Sequence, residues 1–378
     1  MVTGAYHPEI SGAGLQCRTL IRALGDRADC AVLTTSTVDA PAESRVDGVP
    51  VRRVRVRIGD PASEVVAAGG LLTAFARLSR GRAIVHFHGF SRKSVMLMLL
   101  ARALGKRRVV KLTSVGVDDP VAIAAGGGAT AWAYRHADLY IGVSPRQRDL
   151  CVEAGIEPAR FRLIPNGVDL ARFHPAQDGE REALRGALGL PAAPPLVLVV
   201  GFFSRDKQPD TLFAAWRRVA ARRPSTLVFV GATRSSYFEV DRPLYERVRA
   251  EAGELGDRVV FVERAEDIER YYRAADVFAL PSRREGLPNA LLEAMASGVA
   301  CVASRLPGVT DALIDDGVSG RLVPPGDVDA LAGTLDALLG DAAERARLGA
   351  AARERVAARY SVAATADAHV RAYEALIR

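Results

Sequence analysis

The chain has 378 residues, 49% of them apolar, 25% charged and 6% aromatic. That length exceeds one ordinary core and predicts two domains of roughly 150–200 residues each, and the composition excludes disorder, collagen and a disulfide mini-scaffold. Basic residues outnumber acidic ones 51 to 44, for a net charge of +7, and all but Lys93, Lys106, Lys111 and Lys207 are Arg. Such an excess suits acidic partners: nucleic acid, anionic lipid or phosphorylated substrates. Without zinc-finger spacing or an aromatic–basic motif, no nucleic-acid partner is expected. The apolar run at 95–101 is far shorter than the roughly 20 residues of a membrane span. The opening MVTGAYHPEISG has no basic region followed by an apolar stretch, so no signal peptide is expected. Met1 stands almost at the first loop, so the start is read as lying within the first strand. Cys17, Cys30, Cys151 and Cys301 form no CxxC pair, which predicts free thiols and a cytoplasmic location.

In chain order, β-branched runs at 1–5, 30–35, 49–56, 84–88, 109–113 and 139–143 read as strands. Ala/Leu/Arg-rich stretches at 15–24, 71–78, 95–104 and 146–154 read as the helices between them. Gly126-Gly127-Gly128 weakens the helix around it. The alternation restarts with strands at 196–201, 226–231, 259–262, 277–280 and 300–303, each followed by a helix. Strand–helix alternation of this kind means a parallel sheet covered on both faces. Pro165 to Pro195, with Pro-Asn-Gly and Pro191-Ala-Ala-Pro-Pro, predicts a hinge. The expected organisation is a first domain at 1–170, a linker at 171–195 and a second domain at 196–355. A terminal helix at 356–378 could pack back on the first domain.

The stretch 281–298, PSRREGLPNALLEAMASG, carries the most chemistry. A strand ends at Leu280, a loop holds Glu285-Gly286, Pro288 suits a first helical turn and Gly298 stops the helix. The loop therefore offers backbone N–H groups from Gly286, Leu287 and Asn289, and a positive helix end, at the carboxyl edge of a parallel sheet. Phosphates bind at that edge in such folds. Glu285 and Glu293 are eight apart, and a carboxylate can accept two hydrogen bonds from a sugar diol. The stretch resembles the E-x7-E signature of retaining glycosyltransferase family 4, including its Pro-Ser, Glu-Gly, Glu-Ala-Met-Ala and Gly surroundings.

Other segments agree with this resemblance in the family's order. Tyr6 to Gly14, with Gly12, is similar to its glycine loop, although Ser11 stands where a glycine is common. His86-Phe87-His88 resembles its H-x-H strand, whose second His lies beside the reacting sugar. Metal binding by the two histidines is not expected, for want of further ligands. Ile164-Pro-Asn-Gly-Val-Asp169 is similar to the marker closing its first domain, and Asn-Gly suits a turn with positive φ. Val200 to Lys207 corresponds to its G-R-L-x-x-x-K; Lys207 matches the diphosphate-contacting lysine and Phe202 replaces the arginine, a charge that Arg205 could supply. Leu306-Pro-Gly-Val-Thr-Asp311 and Asp316 to Val323 resemble its later turns.

The resemblance implies a GT-B fold: α/β, two doubly wound Rossmann-like domains with parallel sheets facing across a cleft, the first binding acceptor and the second a nucleotide sugar. It implies a retaining, metal-independent hexosyltransferase that needs no cofactor beyond a UDP- or GDP-sugar co-substrate, with UDP slightly favoured. Catalytic roles fall to His88, Lys207 and Glu285. Donor binding falls to Gly12, Arg205, Lys207, Glu285, Gly286, Leu287, Pro288, Asn289 and Glu293. The acceptor is a glycan, a lipid-linked glycan or a small molecule. A further expectation is peripheral contact with anionic membrane through Arg92-Lys93 and Lys106-Arg107-Arg108, which flank the apolar helix at 95–100. A nucleotide-sugar 2-epimerase and a non-catalytic sugar binder are the rival readings; the E-x7-E context favours transfer.

Overall fold

The computed structural model describes residues 1–9, 11–116, 118–233 and 240–378, and of Arg92 the backbone alone. Ile10 of the first glycine loop, and the side chain of Arg92 in the expected basic pair, lie outside the described residues. The chain divides into two units, Met1–Gly167 together with Val362–Arg378, and Val168–Ser361.

Unit 1 holds strands β1 (Val2–Thr3), β2 (Val32–Ser36), β3 (Glu43–Val46), β4 (Val49–Arg55), β5 (Ile84–His88), β6 (Arg107–Lys111), β7 (Leu139–Gly142) and β8 (Phe161–Leu163). They form one sheet in the order β3-β4-β2-β1-β5-β6-β7-β8. All pairs are parallel except β3 with β4. That exception corrects an all-parallel reading: Asp47 (φ 50°) and Gly48 (φ 78°) make the two-residue hairpin turn that Asp-Gly favours. The sheet buries both faces. Val85 and Phe87 of β5 pack with Leu71, Phe75, Leu97 and Met98 on one side. His86 and His88, one residue out of phase, point to the other.

Unit 2 holds β9 (Leu196–Val200), β10 (Thr226–Val230), β11 (Val259–Val262), β12 (Val277–Leu280), β13 (Ala300–Ser304) and β14 (Arg321–Val323), ordered β11-β10-β9-β12-β13-β14 and parallel throughout. Its core joins Leu212, Trp216 and Val219 of helix Pro209–Ala220 with Leu331 and Leu335 of helix Val328–Gly340, and with Leu348.

Several boundaries move for identifiable reasons. The helix expected at 71–78 spans Pro61–Leu78, because Asp60 accepts from the N–H groups of Ala62 and Ser63 and Pro61 fits the first turn. Gly127 and Gly128, at φ 60° and 61°, separate helices Pro120–Ala125 and Gly128–Arg135. Residues 171–195, expected as a linker, are part of unit 2 and carry helix Glu180–Ala187. Arg185 of that helix is buried and pairs with Asp276 at 2.5 Å, which ties the segment into the core. The expected terminal segment also splits: helix Ala342–Arg359 is in unit 2, and Val362–Ile377 in unit 1. Neither Asn166 nor Gly167 has positive φ. Gly167 is required by proximity instead, since a Cβ there would lie 2.6 Å from Val362 Cα.

Candidate functional site

The chain leaves β9 for β10 on one side and returns to β12 on the other. The loops after β9 and β12 therefore flank the point where strand order reverses, the crevice in which open α/β sheets bind ligands. Their side chains interlock in matching order. Asp206 accepts the Arg283 N–H through its backbone oxygen at 2.8 Å and pairs with Arg284 through its carboxylate. The next residue, Lys207, places Nζ 2.6 Å from Glu285 Oε1. Glu285 is buried and Lys207 a quarter exposed. Spacing alone does not single out Asp206 and Arg284; the run Asp-Lys in one loop and Arg-Glu in the other is their signal.

Beyond Glu285, the N–H groups of Gly286 and Leu287 meet no protein acceptor among the described residues. Pro288 takes the N-cap position of helix Asn289–Ala296 rather than the first helical one, and as a proline it supplies no N–H. Glu293, in that helix, is half-buried and accepts a hydrogen bond from Tyr272 Oη at 2.9 Å. Desolvation pushes its carboxyl up to about 7, against the Tyr272 hydrogen bond, which favours the ionised form. A carboxyl raised in the folded state contributes stability below its unfolded value of 4.5, and that contribution is lost as pH rises through 7. Glu293→Gln should therefore flatten the fall in Tm between about pH 4.5 and 7. Scanning calorimetry across that range measures it, and an unchanged slope would contradict this assignment.

Arg205 does not join this group. Its guanidinium binds Asp241 at 2.7 Å and its side chain is 87% exposed, because Asp241 is anchored as the cap of helix Arg242–Ala252. Phe202, in the place of the family's arginine, is half-buried and lines a small depression with Gly201, Lys207, Phe229, Pro281 and Ser282.

In unit 1, β2 and β5 flank β1, so the loop after β1 and the end of β5 occupy the equivalent position. Ser11, rather than a glycine, caps helix Gly12–Leu24 by accepting the Gly14 N–H at 3.0 Å. Gly12 is exposed at the helix start. The glycine demanded by close approach is Gly14, where a Cβ would lie 2.3 Å from Ala5 O. His88 is buried, and neither ring nitrogen has a protein partner among the described residues. Burial, with Lys111 next in order of effect, holds its pKa well below the usual 6.5, so it is a neutral imidazole with one donor and one acceptor. Lys111 is its register partner on β6 and is itself buried, with no partner for Nζ among the described residues and its pKa lowered to about 8 by desolvation. His86 Nδ1 lies 2.6 Å from Tyr373 Oη on the terminal helix, which makes His86 a packed core residue. Among the described residues, no three His, Cys, Asp or Glu side chains gather as metal ligands.

Comparison with known proteins places both units. Residues 180–355 match the family described as "Glycosyl transferases group 1", and residues 11–167 the "Glycosyl transferase 4-like domain". D-inositol 3-phosphate glycosyltransferase of Kineococcus radiotolerans is 31% identical over 91% of this chain and 85% of its own length. The protein of the same name from Nocardia farcinica is 34% identical over 61% of this chain and 51% of its own. Sucrose-phosphate synthase from Thermosynechococcus elongatus superposes with TM-score 0.82 at 25% identity, covering 100% of this chain and 98% of that one. Anabaena HepE in complex with UDP and glucose gives TM-score 0.80 at 19% identity over 99% and 98%. With two doubly wound units and a relative alike over nearly the whole length, the chain belongs to the family 4 glycosyltransferases of GT-B fold.

Proposed function

We propose that this glycosyltransferase moves a hexose from a UDP-sugar to an acceptor hydroxyl with retention of configuration and without a divalent metal. The observation that carries the reading is the Lys207–Glu285 pair at the strand-order reversal of unit 2, beside the unpartnered N–H groups of Gly286 and Leu287. Lys207, those N–H groups and the positive end of helix Asn289–Ala296 are the groups that would stabilise charge on a leaving diphosphate. In the step proposed, the bond between the anomeric carbon and the diphosphate oxygen breaks while the acceptor oxygen bonds that carbon on the same face. The acceptor proton passes to the departing phosphate. Glu285 holds the sugar and Glu293 the ribose, and His88, whose ring nitrogens have no protein partner among the described residues, is the unit 1 group available to a sugar hydroxyl. HepE, alike in fold, holds UDP and glucose, which agrees with UDP as the nucleotide.

The test is incubation of UDP-hexoses with a panel of acceptor alcohols in EDTA, with NMR of the product. An axial glycoside from an axial donor is expected. An inverted product, or activity only with added Mg²⁺, overturns the mechanism, and 2-epimerised donor formed without acceptor overturns transfer.

Membrane contact is part of the same proposal, on altered ground. Lys93 turns inward to Thr3 O and Thr35 Oγ1 (3.1 and 2.7 Å), and Arg108 pairs with Asp138 at 2.8 Å. Lys106 remains, Arg107 lies 4.0 Å from Asp138 with its side chain 53% exposed, and Leu99, Leu104 and Trp132 are exposed in the same unit, with Arg102 over the indole at 5.3 Å. Cosedimentation with anionic vesicles at low salt tests this contact, and protein left in the supernatant removes it.

A further inference from the structure

Unit 1 carries a groove at the end of its sheet away from His88. β4 and β5 run parallel, and helix Pro61–Leu78 joins them, so the helix returns antiparallel to both. It comes closest to β4 at Gly70, where a Cβ would lie 3.2 Å from Val54 Cγ1. From Thr73 onward it faces the β3–β4 hairpin across a groove of about 460 Å³, a volume in the range of small-molecule sites. Val51, near the start of β4, and Leu78, the last helical residue, both line it. The groove therefore lies toward the amino end of the sheet, whereas His88 closes β5 at the carboxyl end, where open α/β sheets hold their reacting ligands.

Its lining combines charge with an apolar floor. Arg45, Arg52 and Arg77 stand against Glu43, three guanidinium groups to one carboxylate, which leaves +2. Glu43 Oε1 accepts from Arg52 Nη1 at 2.7 Å and lies 3.6 Å from Arg77 Nη1, so one carboxylate oxygen serves cations on both walls. Arg45 donates through Nε to Gly48 O at 3.0 Å. That bond fixes its stem at the hairpin turn and leaves the two terminal nitrogens of the fork for a ligand. Val51 and Ala74 are buried and Leu78 half-buried beneath the arginines. A planar guanidinium fork matches the oxygens of a phosphate. A phosphate monoester carries close to two negative charges at neutral pH, which balances the lining, and 460 Å³ over apolar side chains leaves room for an organic body.

We infer that this groove binds a soluble organic phosphate monoester, at a site separate from glycosyl transfer. Arg45, Arg52 and Arg77 hold the phosphate, and Val51, Ala74 and Leu78 cover the apolar part of its body. The inference does not depend on the transfer reading, because none of these residues belongs to the proposed donor site.

The experiment titrates the full chain, ¹³C-labelled at Val and Leu methyls, with phenyl phosphate and, separately, with benzyl alcohol. Saturable shifts at Val51 and Leu78 are expected with phenyl phosphate alone, weakening as salt is added. The R45Q/R77Q variant should lose tenfold or more in affinity, whereas Arg371→Gln, an exposed arginine on the terminal helix, should not. Thr73→Trp, on the exposed side of the helix, fills the groove without touching its charges and should also weaken phenyl phosphate tenfold or more. Absence of saturable shifts, equal shifts with benzyl alcohol, or shifts confined to Leu287 of the donor loop would overturn the inference. So would affinity unaltered in R45Q/R77Q or in Thr73→Trp, or an equal loss in Arg371→Gln, which would mark general surface charge. Binding to phosphatidic acid vesicles that R45Q/R77Q abolishes, without methyl shifts from phenyl phosphate, would make a lipid headgroup the occupant and overturn it as well.

Discussion

Replacing Lys207 by Ala should lower kcat at saturating donor by a few hundredfold, about 3–4 kcal/mol, the usual effect of removing one preorganised donor from a developing anion. The loss falls on turnover more than on donor affinity because the interaction strengthens as the sugar–phosphate bond breaks. Arg205 cannot compensate, since Asp241 holds it at 2.7 Å on the solvent side, and Phe202 brings no charge. Lys207→Arg should recover part of the rate: a planar guanidinium needs different room from a compact ammonium, and Glu285 already lies 2.6 Å from Nζ. The measurement is kcat for both variants in EDTA and then in excess Mg²⁺. Full activity of Lys207→Ala in EDTA, or a parent enzyme inactive there, would refute the mechanism.

For Glu285, affinity and turnover should move in opposite directions. In the structure its carboxylate occupies the ammonium that the proposal assigns to the donor's diphosphate. A diphosphate must therefore compete with a buried acid for Lys207, and the sugar must then draw Glu285 toward its hydroxyls. Glu285→Gln removes the competing charge and leaves Lys207 without a charged partner. UDP alone should bind about tenfold more tightly or better, in the range of a charge-assisted hydrogen bond. Turnover of the UDP-sugar should drop tenfold or more, because the carboxylate is no longer there to hold the sugar. Calorimetric titration with UDP, set beside steady-state kcat, separates the two effects. Weaker UDP binding in the variant would show that Glu285 supports the diphosphate site rather than competing for it. The Glu293→Gln variant, by contrast, should change donor affinity and pH dependence with less effect on the chemical step.

Local sequence determined a large part of this protein. Strands β5, β11 and β12 lie at the residues where β-branched and aromatic runs placed them, because such side chains fit the packed surface of a pleated sheet. The loop–helix register of 281–298 followed from Pro288, Gly298 and the apolar spacing between them, and with it the placement of Glu285 and Glu293 on one stretch of chain. Such features rest on neighbours in sequence, where propensity and capping act directly. What the sequence alone left undetermined depended on partners distant along the chain. Arg185 is read as part of a linker until Asp276, 91 residues on, buries it. Helix Val362–Ile377 could have packed on either domain; Ala366 against Leu20 and Leu24, and Tyr373 against His86, assign it to unit 1. Arg205 and Lys207 are two apart in one loop, yet one meets Asp241 and the other Glu285. Spacing reveals which residue types are available, whereas the direction of a charged side chain is set by which opposite charge the folded sheet brings within reach, and only the tertiary structure decides that.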